Sequence, residues 1–290
     1  YSLRKMQMRR GARKLVEECV NLQPGETVVI VTDMETANVA EVVAAACMEK
    51  KAETVVMVME PRDIDGQEPP EVVACALVKA DVIFTPVKKS ITHTIAVKDA
   101  VASGARAIML TAFTEDMLVS GGIEADFAAI RPITQGMADL LTEVDTVRIT
   151  SPAGTDLTMS VKGRPGNAHY GIVEPGQMST VPNIEASVSP VEGTASGVYV
   201  ADASIPYFDI GVLREPVIYT IENGAVVKIE GGAQAKQVAA IMEKQNDPNV
   251  YNIAQLSFGL NPKCKLQGLM LEDEGVYGTV HIGIGTSTVL

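Results

Sequence analysis

The 290 residues carry 24 Lys and Arg against 36 Asp and Glu, a formal net charge of −12, with 47% hydrophobic and 21% charged residues. An acidic chain without clustered cations is not built for phosphate backbones or anionic membrane, so neither nucleic acid nor a membrane is expected as a partner. The length suggests two domains, and neither an apolar run of membrane-spanning length nor a signal-peptide core is present, which reads as a cytoplasmic protein.

Arg4-Lys5, Arg9-Arg10 and Arg13-Lys14 are spaced as the solvent face of an N-terminal helix. Glu26 to Thr32 is a continuous apolar strand, Thr36 to Lys50 an alanine-rich helix, and Thr54 to Met59 a second strand. Asp81 to Thr85 and Ala105 to Leu110 follow as strands, separated by a helix over Thr92 to Ser103 that stops at Gly104. Strands without polar alternation, joined by helices, indicate a parallel sheet covered on both faces. The expected first domain, residues 1–144, is a doubly wound, Rossmann-like α/β scaffold. Its first strand runs into Thr32-Asp-Met-Glu-Thr-Ala-Asn38, which lacks the glycines that bring amides against a pyrophosphate, so a scaffold or oligomerisation role without dinucleotide is expected. Cys19, Cys47, Cys75 and Cys264 are widely spaced. The first three lie in helical patterns among apolar neighbours, which reads as small buried hydrophobes rather than a disulfide or zinc framework.

Near Asp145 the pattern changes. Thr146–Thr150 and Asp156–Val161 read as a hairpin, Ile184–Val188 and Gly197–Asp202 as strands, and Val217–Ile221 with Val226–Glu230 as a hairpin across Asn223-Gly224. Gln234 to Lys244 is the main helix among them. The expected second domain, residues 145–290, is mostly antiparallel, β-rich and α+β. The chain lacks an initiator Met and stops at Ser287–Leu290 directly after a strand, so a truncated C-terminus is expected.

Polar residues interrupt this apolar strand sequence at Glu185, Gln255, Glu272-Asp273-Glu274 and His281. An unpaired polar group buried in a strand costs roughly 1–3 kcal/mol, so a buried His281 needs either a metal ion or a hydrogen-bonded core partner. Taken singly, each has an ordinary explanation: Glu185 as a solvent-facing strand residue, Glu272 to Glu274 as a solvated turn. His93 reads as a surface or helix-start residue, and His169, in a loop rich in Gly and Pro, as a candidate substrate contact.

The second half as a whole resembles a known family. Gly193-Thr-Ala-Ser-Gly197, Asp202-Ala-Ser-Ile205, Ile221-Glu-Asn-Gly224, Ile229-Glu-Gly-Gly232, Gly259-Leu-Asn-Pro262, Glu272-Asp-Glu274 and Gly278-Thr-Val-His-Ile-Gly-Ile-Gly285 resemble, in order and spacing, the motifs of the thermophilic leucyl aminopeptidases of the aminopeptidase T and AmpS type. The same superfamily contains 2,5-dihydroxypyridine 5,6-dioxygenase, a non-haem iron enzyme, and Asn246-Asp-Pro-Asn-Val-Tyr251 ahead of Gln255 is similar to that branch. In the peptidases the resemblance implies two metal ions held by two glutamates, a histidine and a final His-x-Asp pair. Glu185 then falls on the first glutamate, five residues before the proline of Pro190-Val-Glu-Gly193. His281 falls on the metal histidine and Gln255 on the bridging glutamate, while the His-x-Asp pair would lie beyond Leu290. In the dioxygenase branch the position of Gln255 is a histidine ligand, so Gln255 departs from both patterns; a neutral amide cannot bridge two cations as a carboxylate does.

Three functions follow. The leading one is a metal-dependent hydrolase cleaving an amide bond of a small peptide or cyclic amide, with a divalent Zn, Co or Mn ion activating water. Glu185 and His281 would be ligands, Gln255 a weak ligand or substrate contact, and Glu192 or Glu274 the proton carrier. The second is an Fe(II) ring-cleavage dioxygenase acting on a hydroxylated N-heterocycle. The third is a non-catalytic member with a decayed metal site. The expected partners are a small-molecule or short-peptide substrate and, from the resemblance, a second copy in a homodimer or higher homo-oligomer.

Overall fold

The computed structural model describes residues 2–208 and 210–286; Ser287–Leu290, where the sequence reading places an interrupted end, lies outside them. In chain order the elements begin with α1 (Leu3–Lys14), β1 (Thr27–Thr32), α2 (Ala37–Glu49), β2 (Glu53–Val58), α3 (Glu71–Leu77), β3 (Val82–Val87), α4 (Ile95–Ala102), β4 (Arg106–Thr111), α5 (Glu115–Val119) and α6 (Phe127–Glu143). They continue with β5 (Thr146–Thr150), β6 (Asp156–Ser160), β7 (Asn167–His169), β8 (Met178–Thr180), β9 (Glu185–Val188), β10 (Ser196–Ala201), β11 (Ser204–Ile205) and β12 (Gly211–Val212). Last come β13 (Val217–Glu222), β14 (Ala225–Gly231), α7 (Ala233–Lys244), β15 (Ile253–Gly259), α8 (Met270–Asp273) and β16 (Val280–Ile284). No helix among the described residues is long and apolar enough to cross a membrane.

Contacts divide the chain into an α/β unit, running to Ala128 and resumed at His169–Asn183, and a strand-rich unit of Ala129–Ala168 and the chain from Ile184 onward. The sequence reading places one division at residue 145. By contacts the change comes at Ala129, inside α6, whose buried Phe127, Ile130, Thr134, Ala138 and Leu141 recur at helical spacing and leave no compositional break to read.

The α/β unit is a five-stranded parallel sheet of order β2-β1-β3-β4-β8. Strands β3 and β4 are buried throughout, and β1 beyond its first residue, as continuous apolar runs require when helices cover both faces. Val29, Val31, Ile83, Val87, Ala107 and Met109 form one core with Val73 and Leu77 of α3 and Ala96, Val97 and Ala100 of α4. The fifth strand, β8, is three residues from a distant segment, too short to carry a pattern. The basic face of α1 is not simply solvated: Arg4 meets Glu115 and Asp116, Lys5 meets Glu41, and Arg9 lies 2.8 Å from Glu49. Cys19, Cys47 and Cys264 are buried, and burial pushes the Cys47 thiol up to about 12. Cys75, expected to be buried, is exposed, because α3 turns only Val73 and Leu77 fully inward.

Strand order reverses between β1 and β3, the place where open α/β sheets hold their ligands. Here Asp33, wholly buried at the end of β1, fills that position. Its Oδ1 accepts from the amides of Glu35 (3.0 Å) and Thr36 (3.2 Å) and from the Thr36 hydroxyl (3.1 Å), and its Oδ2 accepts from the Lys88 amide (2.6 Å). The donors that a phosphate would use are already engaged by a carboxylate of the chain.

The strand-rich unit contains an antiparallel sheet of order β14-β13-β10-β6-β5. The β13–β14 turn places Asn223 at φ 49° and Gly224 at φ 77°, the two left-handed residues of a tight hairpin. A Cβ on Gly224 would also lie 2.5 Å from the amide nitrogen of Gly193. A second sheet, of order β16-β15-β9-β7, carries the interrupting polar residues.

Candidate metal centre

Strand alternation sorts the polar residues onto one face of the second sheet. In β9, Glu185 and Ser187 point one way, while Ala186 and Val188 join the apolar core on the other. In β15 the matching residues are Gln255, Ser257 and Gly259, and in β16 they are His281 and Gly283. The register pairs Ser257 with both Ser187 and His281, making a row across three strands, and pairs Glu185 with Gly259 and Gln255 with Gly283.

The two glycines leave room for the groups beside them. A Cβ on Gly259 would lie 2.2 Å from the Val276 carbonyl oxygen and 2.8 Å from that of Glu274, so its absence lets the loop after α8 settle on β15. A Cβ on Gly283 would lie 2.9 Å from the Cβ of Gln255. Glu274 follows α8 directly and is held by its amide on the Met270 carbonyl at 3.0 Å.

Glu185, Glu274 and His281 each bring one ligand atom into a group whose members all lie within 4.8 Å of one another. His281 Nε2 is 3.2 Å from Glu185 Oε2, and Glu185 is only 5% exposed. Gln255 reaches along the same face and donates through Nε2 to Glu185 Oε1 at 3.3 Å and to Ser257 Oγ at 2.7 Å. The donating end of the amide therefore faces the carboxylate, as charge requires, and Gln255 braces Glu185 rather than offering it an oxygen.

Burial drives the electrostatics of this group. It pushes the Glu274 carboxyl up to about 7; the His281 charge opposes that rise, and the negative charges of Glu185 and Asp273 add to it. For His281 burial alone would lower the pKa, but the charge and hydrogen bond of Glu185 and the charge of Glu274 raise it overall. Two carboxylates and an imidazole crowded into low dielectric thus retain protons that a cation would displace. His281 Nδ1, Ser187 Oγ and Ser189 Oγ are buried with no hydrogen-bond partner among the described residues. With one ligand atom from each of Glu185, Glu274 and His281 drawn together, the donor set fits one divalent metal: imidazole suits iron or zinc, and carboxylate oxygen suits manganese or magnesium.

The remaining predicted residues are not members of this ligand group. Glu192 lies at the surface beyond β9, ion-paired with Arg164. Glu272 and Asp273, read from sequence as a solvated turn with Glu274, are buried braces. Glu272 accepts from the Lys265 amide at 3.0 Å, and Asp273 from the amides of Gln267 at 2.7 Å and Gly268 at 2.9 Å. His169 closes β7 and belongs with His93 to the α/β unit. Partial burial first, then the charges of His169 and Lys98, holds His93 in the turn before α4 below its usual pKa. Sequence reasoning missed the glycines opposite Gln255 and Glu185 as shaping residues; Gly283 in the Gly-x-Gly after His281 and Gly259 in Gly259-Leu-Asn-Pro262 were the available signals.

A profile of the family described as 2,5-dihydroxypyridine 5,6-dioxygenase (NicX) matches residues 8–282. The 2,5-dihydroxypyridine 5,6-dioxygenase of Pseudomonas putida KT2440 is 30% identical over 138 residues, covering 46% of this chain and 39% of that protein. The alignment therefore spans about two fifths of the relative's length. Among solved structures, the 2,5-dihydroxypyridine dioxygenase from Pseudomonas putida KT2440 matches with a TM-score of 0.78 at 18% identity, over 94% of this chain and 84% of that one. Wild-type AmpT from Thermus thermophilus matches with a TM-score of 0.69 at 12% identity, over 96% and 85%. At these identities the structural likenesses show the shared fold, an α/β architecture of one parallel and several antiparallel sheets.

Proposed function

The chain belongs to the 2,5-dihydroxypyridine 5,6-dioxygenase family, and on that premise we propose that it is a metal-dependent enzyme that opens a hydroxylated N-heterocyclic ring with dioxygen. The observation that carries this reading is the group of buried Glu185 with half-buried Glu274 and His281, standing within the stretch that the family profile matches. The hydrolytic reading, placed first from sequence, keeps only the support of a neighbour of like fold, and the comparisons favour the oxidative alternative.

In this proposal the two carboxylates and the imidazole hold one divalent iron, which when bound supplies the electron transfer to dioxygen. The protein supplies the rest. Gln255 Nε2 fixes the rotamer of Glu185, and Ser257 in turn fixes Gln255. The apolar Ala186, Val188 and Leu256 behind the sheet face keep its far side dry, which strengthens every charge interaction at the site. This donor set of one histidine and two carboxylates lacks the histidine ligand that the resemblance to the dioxygenase branch places at the position of Gln255.

The test is metal analysis by mass spectrometry on full-length protein purified without chelators, with the Glu185→Ala, His281→Ala double variant beside it. Oxygen uptake with 2,5-dihydroxypyridine and amine release from aminoacyl p-nitroanilides are then measured on the same samples. Iron lost in the variant together with oxygen uptake supports the proposal. Zinc, cobalt or manganese with amine release would restore the hydrolytic reading, and no metal in either protein would sink both.

A further inference from the structure

Strand β2 is an edge of the parallel sheet, with no further strand paired beyond it among the described residues. Along Glu53-Thr-Val-Val-Met-Val58, Val55 is 44% exposed, Val56 41% and Val58 56%, although β1 next to it is buried beyond its first residue. The Glu53 amide donates to the Glu26 carbonyl at 2.8 Å and the Met59 amide to the Thr32 carbonyl at 2.9 Å, so the odd-numbered residues bond inward to β1. Strand alternation turns the amide and carbonyl of Thr54, Val56 and Val58 outward, where they meet no partner among the described residues. Natural edges are guarded by Lys, Pro, a bulge or an inward charge. None interrupts β2 between Glu53 and Met59.

We propose that β2 pairs antiparallel with β2 of a second copy of this chain, about a two-fold axis at Val56, joining two five-stranded sheets into one. The outward groups of Thr54, Val56 and Val58 are symmetric about Val56, so Val56 faces its own copy and Thr54 faces Val58, each pair exchanging hydrogen bonds in both directions. Charge agrees with this arrangement. Lys51 precedes the strand and Glu60 follows it, both exposed and both without an ion-pair partner among the described residues. Antiparallel pairing about Val56 brings Lys51 of each copy to the end that carries Glu60 of the other. A parallel stack, or a peptide of unrelated sequence, would leave these charges unmatched.

The test uses the full-length protein in sedimentation velocity and light scattering. The expected species has twice the mass of one full-length chain. Val56→Lys puts two ammonium groups against each other on the axis and is expected to raise the dimer dissociation constant by on the order of a hundredfold. Lys51→Glu and Glu60→Lys should each weaken the dimer, and the double reversal should restore it. Independently, Val56→Cys in a Cys75→Ser background should form an interchain disulfide under mild oxidation, since facing residues of a hydrogen-bonded pair lie about 5.5 Å apart at Cα, within disulfide reach. A monomeric wild type at tens of micromolar overturns the proposal. So does a dimer that tolerates Val56→Lys and fails to cross-link through Val56→Cys, which would place the contact elsewhere, and so does a species in which β2 is covered by a different protein.

Discussion

Removing metal should make stability fall as pH rises, because the site then holds protons in place of a cation. Glu274 keeps its proton up to about pH 7 in the folded chain, against an ordinary value of 4.5. Between those two values the folded state binds the proton and the unfolded chain has released it, so stability declines as pH climbs through this window. At about 1.36 kcal/mol per pH unit the ceiling is roughly 3 kcal/mol. His281 acts in the same direction: its raised pKa adds stability that is fully present below 6.5 and lost as pH passes the folded value. For a unit of this size roughly 3 kcal/mol corresponds to about 5–10 °C in melting temperature. The assay is thermal unfolding of chelator-treated protein from pH 5 to pH 8, with and without Mn(II) or anaerobic Fe(II). The expected result is a fall with pH in the stripped protein and recovery with metal, most complete at the alkaline end, where ligands no longer surrender protons. Glu274→Gln, neutral and isosteric, should flatten the stripped profile. A stripped protein with no fall across this range, or a Glu274→Gln variant that keeps the full slope, would refute the reasoning.

Gly259→Ala drives a methyl into the Val276 carbonyl, so it should cost about 2–3 kcal/mol by chemical denaturation and release metal by displacing the Glu274 loop. Gln255→Glu exchanges the donor to Glu185 for a like charge; the metal-free variant should lose about 1–3 kcal/mol, and added Mn(II) should recover most of it in paired melts. Asp33→Ala leaves the amides of Glu35, Thr36 and Lys88 without their acceptor and should cost about 2–4 kcal/mol in urea unfolding.

The layered α/β unit was legible because its central strands, Val28–Val31, Ile83–Phe84 and Ala107–Leu110, are unbroken apolar runs, and periodicity reports burial directly. Asn223-Gly224 announced its hairpin for an equally local reason, the left-handed backbone that both residues tolerate. Long-range closure was not legible: Met178–Thr180 completes the parallel sheet by pairing with β4, and three residues cannot display a period. At the site, Glu185, Gln255 and His281 stood out as polar interruptions of strands, and only the geometry shows that the nitrogen of Gln255, not its oxygen, faces Glu185. Glu274 was singled out in sequence as a proton carrier rather than a ligand, because adjacent carboxylates in a short helix diverge by about 100° each and only the packing decides which one joins His281. Glu192 drew attention through its motif, yet one turn beyond a strand end was enough to put it in solvent with Arg164.

Asp33 has a consequence for how this protein lives with its surroundings. A fold of this type that depends on a bound nucleotide gains or loses stability with the supply of that nucleotide, since occupancy adds to folding free energy. Here the chain carries the anion itself, at an effective concentration fixed by covalent connection, so the amides of Glu35, Thr36 and Lys88 keep their acceptor without competing for a dissolved one.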